Sequence, residues 1–568
     1  MKKFIFIVSL IFLLTLGFNV YADSVGQRKD FYIDSSYDLY NREKVGAVLV
    51  KLDSNLYFYV DQSWWNSVSQ NKAYQGLSEL GQEFEENIYP TLTSVFGPEW
   101  NPGIDKDSVI TILIHPMKES AGGYFRSNDE YLKIQVPDSN EREMLYLNAE
   151  HICSPLAKSF LAHEFVHLIT FNQKENNYNI TESTWLNELR AEYAPTLMGY
   201  DDDFEESNLK KRIETFITNP SDRLTDWMGD KRDYGTVNLF GQYLVDYYGR
   251  EILTDSLLSP KIGIESLNYA LEKNGFKEDF SQIFLNWTIA VLVNDCSYGN
   301  KYCYRNPNLK NFHVSAKINF LPLTGESTLT LAELTKNYSG NWYKIIGGGG
   351  ILKFVFNSGP QGVFQVPYIT KGLAGNYNIN FLDLDENGRG EARIENFGEE
   401  TTALFLIPSL QEPENNGSVL YYTFSWSLAL EKPKENPEVI QGLLARIAEI
   451  KEEIARLQAR IDTILAERDL KSPDIQIFCR RINNNLYFGL TQNSDVRCLQ
   501  QFLKNQGFDV YPEGLITGNF LSLTKKAVVR FQEKYSEDIL NPWGLKKGTG
   551  FVGSATLSKI NQLLSLEL

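Results

Sequence analysis

At 568 residues the chain is too long for one domain and predicts three or four. Hydrophobic residues make up 43% and charged residues 22%, an ordinary globular composition. The formal charge of -17 argues against nucleic acid as a partner and against a purely electrostatic hold on an anionic surface. Residues 1–22 read as a secretory signal peptide, with Lys2 and Lys3 ahead of an apolar run over 4–18 and small residues at Val20 and Ala22. Cleavage before Asp23 is expected, with retention as an N-terminal anchor as the alternative because the apolar run is long. From 46 to 61, GAVLVKLDSNLYFYVD predicts two strands around a turn at Asp53-Ser54-Asn55. A helical pattern over 73–96 closes at Gly97 and Pro98. Strands are expected at 109–115 and 144–147, with Gly122-Gly123-Tyr124-Phe125 between them.

The chain is organised around residues 161–193, LAHEFVHLITFNQKENNYNITESTWLNELRAEY. His163 and His167 are four apart, so on a helix they share one face, a turn apart. Two neutral imidazoles at that spacing can hold one Zn2+, with Glu164 placed to reach a water beside it. A third ligand must come from elsewhere, and Glu188, in a helical pattern beginning near Ser183 or Thr184, is the best candidate. With five histidines in the whole chain, HExxH arises by chance on the order of a few times per thousand such chains. Phe160, Leu161, Val166 and Leu168 recur at helical periods around these polar residues. The competing reading is a core helix whose histidines and glutamate merely cap or salt-bridge it.

HEFVH followed by WLNELRAEY resembles the gluzincin class of zinc metallopeptidases, most closely the hyicolysin type of secreted bacterial enzymes. The resemblance implies His163, His167 and Glu188 as metal ligands, Glu164 as the proton acceptor, Asn187 beside the third ligand, and Glu192 one turn later orienting a histidine. It also implies an α+β zincin-type catalytic domain over 23–308, in which the last antiparallel strand before the HExxH helix borders the cleft and pairs with an extended substrate. The Gly122-Gly123 turn either shapes that rim or is a plain turn. RDYGTVNLFGQYLVDYYG, between Arg232 and Gly249, resembles a family helix under the zinc site, with Tyr234 near its start. A donor to the developing oxyanion is needed, and Tyr234 is expected either in that role or as a structural tyrosine.

Two acidic runs raise Ca2+ as a structural cation: Asp201-Asp202-Asp203, and Asp383 to Gly388. The first fits no ligand loop, and the second has Ile394 where a calcium loop needs its glutamate, so solvated turns are preferred at both. Over 309–432 short apolar strands separated by Gly, Asn and Pro predict a β-sandwich accessory domain. Pro433 and Pro437 open a linker, and 433–473 holds an expected coiled-coil helix. There Ile440, Ile447, Ile454 and Ile461 occupy one heptad position and Leu443, Ile450, Leu457 and Ile464 the other. Dimer, trimer and a rigid spacer folded on its own chain all remain open.

Residues 474–568 resemble a small three-helix peptidoglycan-binding domain, through DVRCLQQFLKNQGF, ITGNFLSLTKKAVVRFQEKY and GFVGSATLSKIN. Disulfides Cys296–Cys303 and Cys479–Cys498 are plausible in an exported chain, leaving Cys153 free as a small hydrophobe near the zinc helix. His115, His151 and His313 form no second metal set. These readings together predict a secreted or envelope-retained zinc endopeptidase acting on protein or peptide, with peptidoglycan as a second partner. A non-catalytic adhesion protein with a relic cleft, and a peptidase of cell-wall crosslink peptides, are the alternatives. A glycosidase with paired carboxylates would need no metal.

Overall fold

The computed structural model describes residues 23–119, 121–323, 325–360, 362–411, 421–431, 446–447, 450–454, 456–457, 479 and 481–566. The expected signal peptide lies outside the described residues, as does most of the coiled-coil stretch; the described parts of 446–457 are helical. Contacts divide the chain into two units, Met1–Glu435 and Asn436–Leu568.

The first unit opens with six strands: β1 (Arg28–Tyr32), β2 (Lys44–Leu52), β3 (Leu56–Asp61), β4 (Ile110–His115), β5 (Gly123–Phe125) and β6 (Met144–Asn148). They form one sheet in the order β1-β2-β3-β4-β6-β5. β3, β4 and β6 run parallel and are buried along their whole length, as their unbroken apolar and aromatic sequences require. Alternation sorts their side chains onto two faces. Phe58, Val60, Ile112 and Leu145 pack under the helices, while Tyr57, Tyr59, Leu113 and Tyr146 join Phe31, Val45 and Leu49 on the other side. β5 is the edge strand, antiparallel to β6, with Tyr124 opposite Tyr146.

Ten helices of this unit are α1 (Gln62–Trp65), α2 (Gln70–Glu83), α3 (Tyr89–Phe96), α4 (Ala157–Phe171), α5 (Thr184–Leu197), α6 (Asn208–Thr218), α7 (Lys231–Tyr248), α8 (Glu251–Leu257), α9 (Gly263–Lys273) and α10 (Phe280–Val293). The helix expected over 73–96 is α2 and α3, joined through a π turn at Phe84–Ile88. α4 is apolar nearly all round, so it lies in the core between the sheet and α5. α7 starts from a capping box between Asp230 and Asp233. A Cβ at Gly235 would meet the Phe216 amide at 2.8 Å, so glycine there lets α6 and α7 approach closely.

Strands β7 (Lys317–Leu321), β8 (Ser327–Lys336), β9 (Tyr343–Gly347), β10 (Gly350–Asn357), β11 (Phe364–Gln365), β12 (Pro367–Gly372), β13 (Tyr377–Phe381), β14 (Arg389–Phe397), β15 (Thr401–Leu406), β16 (Ser409–Leu410) and β17 (Tyr421–Glu431) complete the unit. Nine of them make a sheet in the order β13-β12-β15-β14-β10-β17-β8, with β9 pairing β15 and β7. β14 and β15 meet at one residue pair, Phe397 with Thr401, and the sheet turns over there. One core takes Leu352, Phe354 and Trp426 from one half and Tyr343, Ile345 and Leu404 from the other. The sandwich anticipated from the strand pattern is thus, by its hydrogen bonding, a single near-closed sheet. Trp342 donates its indole N–H to the Thr288 carbonyl at 2.9 Å and seats this layer on α10. Cys296 and Cys303 are bonded, whereas Cys153 is exposed rather than packed as a small hydrophobe. The 383–388 run is a turn closed on the Asp385 carboxylate, which accepts from the amides of Asn387 and Arg389.

The second unit is a small helical module with helices Ser494–Asn505, Ser522–Lys534 and Ser554–Leu566, and with Cys479 bonded to Cys498. Val496, Leu499, Phe502, Val528 and Phe531 build its core. Two buried glutamines hold its turns in the same way. Gln500 accepts from the amides of Thr517 and Gly518 and donates to the Asn519 carbonyl and the Thr524 hydroxyl. Gln532 accepts from Thr549 and Gly550 and donates to Phe551 and Thr556. Each partner in the second set lies 32 positions after its counterpart, as 532 follows 500 and 556 follows 524. The turn equivalent to Thr517–Gly518 is therefore Thr549–Gly550.

Candidate metal centre

Consecutive turns of α4 bring His163 and His167 together with ring centroids 4.9 Å apart. α5 crosses them and delivers Glu188. The two Nε2 atoms lie 3.2 Å apart, and Glu188 Oε2 is 3.3 Å from His163 Nε2 and 3.6 Å from His167 Nε2. Two nitrogens 2.0–2.1 Å from a tetrahedral zinc would be separated by about 3.3 Å, so this triangle has the edge lengths of a zinc face. Glu188 Oε2 is buried with no hydrogen-bond donor among the described residues. Among the described residues this trio is also the one cluster of three or more His, Cys, Asp or Glu donors close enough to share a cation.

Electrostatics agree with that geometry. Burial works to raise the Glu188 pKa, but the facing imidazoles prevail and hold it at about 2. Burial works against protonation of His163, yet Glu188 and Glu192 push it up to about 10. The acidic surroundings thus demand a positive charge at this point, whether proton or metal. Glu164 projects from the same helix and is 6% exposed. Burial raises its pKa, with the two histidines opposing.

Glu192, one turn beyond Glu188, places Oε1 3.3 Å from His163 Nδ1. Arg212 from α6 clamps it with bonds of 2.6 and 2.7 Å. Asn208 donates to it at 2.9 Å and Asn238 of α7 at 3.2 Å. Its pKa is driven far below the carboxylate range, with Arg212 and His163 overcoming burial. Such a carboxylate fixes the tautomer that leaves Nε2 free for a metal. The sequence marked Glu192, but not the arginine and asparagines around it. Asn187 sits on α5 beside Glu188, and its side-chain oxygen meets no donor among the described residues.

A cavity of about 570 Å³ opens at His163 and Glu164, lined also by Tyr37, Gly123, Phe160, Lys211 and Tyr234. Tyr234, in the first turn of α7, has its ring 6.3 Å from His163, with Arg212 over its face and Trp227 against its edge. Tyr37 also lines the cavity, stacked on Tyr124 at 4.7 Å. Burial, then the Glu164 and Glu188 charges, raise its pKa, so its hydroxyl stays protonated beside the centre. No motif announces Tyr37, which comes from a turn 126 residues before His163 in the chain (163 less 37). Gly122 and Gly123 are required by contact: a Cβ on Gly122 would overlap the Phe160 ring, and one on Gly123 would meet the Tyr146 carbonyl at 2.6 Å and Glu164 Cγ at 3.0 Å. The edge strand therefore lies directly against the helix of the motif.

The other histidines serve elsewhere. His115 is buried between Asp38 and Tyr124, His151 lies on the cavity wall against Phe160, and His313 faces the Leu292 carbonyl.

Residues 492–560 match the family model described as "Putative peptidoglycan binding domain", so the chain carries a C-terminal peptidoglycan-binding-like domain. That domain is consistent with an envelope-associated or secreted protein, and a buried His/His/Glu cluster able to hold a divalent metal lies in the other unit. No curated protein matches the chain. Among solved structures the chain is similar to PliG of Aeromonas hydrophila, a periplasmic inhibitor of g-type lysozyme, at 14% identity over 21% of this chain and 100% of that one, with a TM-score of 0.15. It is also similar to the Yersinia pseudotuberculosis-derived mitogen, at 10% identity over 19% and 91%, TM-score 0.14. A third is the pre-peptidase C-terminal domain of a Bacillus anthracis collagenase, at 9% identity over 20% and 96%, TM-score 0.14. At these TM-scores none of the three bears on fold or activity.

Proposed function

We propose that this protein is a secreted zinc-dependent endopeptidase of the gluzincin class, similar to the hyicolysin type, retained at the cell envelope by its C-terminal domain. One observation carries the reading: an HExxH helix and a glutamate from the next helix converge into a zinc-sized triangle with a buried carboxylate beside it. In this reading 1–22 is the exported signal, 23–308 the zincin-type catalytic domain, 309–432 the accessory β domain, 433–473 the linker and coiled coil through which chains self-associate, and 474–568 the wall-binding domain.

His163, His167 and Glu188 would hold the zinc, which supplies Lewis acidity to the scissile carbonyl and to an attacking water. Glu164 takes the proton from that water as its oxygen bonds to the carbonyl carbon. It then delivers this proton to the departing nitrogen as the C–N bond breaks. Glu192, held by Arg212, keeps the His163 Nδ1 proton in place. The hydroxyl of Tyr234 donates to the oxyanion, and β5 offers its free edge to the main chain of an extended peptide.

The test is zinc content and casein hydrolysis by the secreted protein, with and without chelator, beside Glu164→Gln. One zinc per chain is expected, with hydrolysis abolished both by chelator and by the Glu164→Gln substitution. Bound zinc without casein cleavage would favour wall crosslink peptides, which the peptidoglycan-binding-like domain also suits. Absence of zinc binding would leave a non-catalytic envelope protein.

A further inference from the structure

Two glutamates away from the candidate metal centre lack the partners that burial demands. Glu130 ends the short turn after β5 and is 2% exposed; Glu143, immediately before β6, is 3% exposed. Glu143 Oε1 accepts the Ile104 amide at 2.7 Å. Its Oε2 and both oxygens of Glu130 meet no hydrogen-bond donor among the described residues. Nearby cations are committed elsewhere. Arg142 bonds Asp23 and Thr111 and pairs with Asp105, Arg126 pairs with Asp129 and Asp138, and Lys106 donates to the Gly103 carbonyl.

The backbone makes room for these carboxylates. Gly103 has φ +79°, and a Cβ there would overlap the Glu143 carboxylate. Burial, followed by the charges of Glu143, Asp129 and Asp105, drives the Glu130 pKa far upward, and burial also raises Glu143. Two facing carboxylates in a dry interior are stable only with a proton between them or a cation between them.

We propose that Glu130 and Glu143 bind one hard divalent cation, Ca2+, at a structural site between the Gly103 loop and the start of β6. Three unpartnered carboxylate oxygens form a hard, oxygen-only donor set, which suits Ca2+ rather than zinc or copper. Main-chain carbonyls and water would complete the shell. Such an ion fastens the loop at Gly103 to both ends of the segment that connects β5 to β6, and β5 borders the cavity at His163 through Gly123. This proposal is independent of the peptidase reading, because it requires no catalysis.

The full-length secreted protein, loaded with zinc and freed of calcium, is titrated with Ca2+ and separately with Tb3+. Bound metals are counted by mass spectrometry and the melting temperature is followed. One Ca2+ per chain beyond the zinc, a higher melting temperature with Ca2+, and Tb3+ emission sensitised by nearby tyrosines and quenched by added Ca2+ are expected. Glu130→Gln and Glu143→Gln should each lose that ion and keep the zinc. Because these variants could fail to fold, the native protein decides alone: no calcium bound at millimolar concentration and an unmoved melting temperature would overturn the site in favour of a shared proton. Calcium bound equally by folded Glu130→Gln would overturn it too, placing the ion elsewhere.

Discussion

Arg212 is the residue on which the candidate centre's orientation turns. It makes two charge-assisted bonds to Glu192, which faces His163 Nδ1. Arg212→Met should weaken zinc affinity and kcat/KM about 10- to 100-fold, the range for loss of a carboxylate–histidine support. Chelator competition measures the first and peptide hydrolysis the second. Tyr234→Phe should keep the zinc and lower kcat about 10²-fold with little change in KM, as loss of one oxyanion donor does. Unchanged kcat would reassign that role to Tyr37, which lines the same cavity. His163, Glu164 and His167 are legible in the sequence because helical spacing fixes their mutual position, whereas Glu188 and Glu192, on the next helix, are legible through the resemblance of WLNELRAEY. Tyr37, Asn208, Arg212 and Asn238 are not, because tertiary packing brings them in from a turn and two further helices.

At the scale of the element, α5 owes its position to a buried ionic group. Arg190 is fully buried, with Nη1 2.9 Å from Glu182 and Nη2 2.8 Å from the Ser256 hydroxyl. Glu182 also accepts the Gly263 amide, and Lys174 donates to the carbonyls of Ser256, Ser259 and Lys261. Arg190→Leu leaves Glu182 without its closest cation and should cost about 3–5 kcal/mol of stability, read by urea denaturation. The segment bearing Tyr37 has its own anchor in Asp38, which accepts from Arg42 and its amide, from the Tyr40 amide, and faces His115. Burial opposes its ionisation, but Arg42 and the amides prevail and hold its pKa at about 2. A depressed folded pKa adds stability above the unfolded value of about 4, lost as pH falls toward 2. The melting temperature should fall across that window, and Asp38→Asn should lower it at neutral pH while flattening the acid limb. The helical pattern over 73–96 and the strands near 46–61, 109–115 and 144–147 are legible from period and breaker residues, whereas β1 and α6 lie outside those expectations. The closing of the accessory sheet is not legible, since one pair between Phe397 and Thr401 decides it.

For the whole molecule, the division at Glu435 and Asn436 gives the sharpest expectation. A chain ending at Glu435 should retain its zinc and its casein activity yet no longer sediment with purified cell walls, measured by comparing supernatant and pellet. Retained sedimentation would place wall affinity in the first unit. Composition anticipated several domains, and the match over 492–560 agrees with the C-terminal motifs. Substrate preference stays illegible because the cavity walls come from distant segments: Tyr37, Gly123, Lys211 and Tyr234 share no sequence pattern.

The paired glutamine brackets of the C-terminal module describe a unit that could be counted. Thirty-two positions beyond Gln532 (532 + 32) stands Leu564, 6% exposed in the core. The side chain there packs with Ile560 and Val528 in the module's core instead of bracketing a turn. Among the described residues the glutamine bracket therefore occurs twice, at Gln500 and Gln532, and position 564 departs from it. Glutamine at 564 would bury an amide among apolar side chains with no turn to bracket, and should destabilise the module where the glutamines at 500 and 532 hold it together.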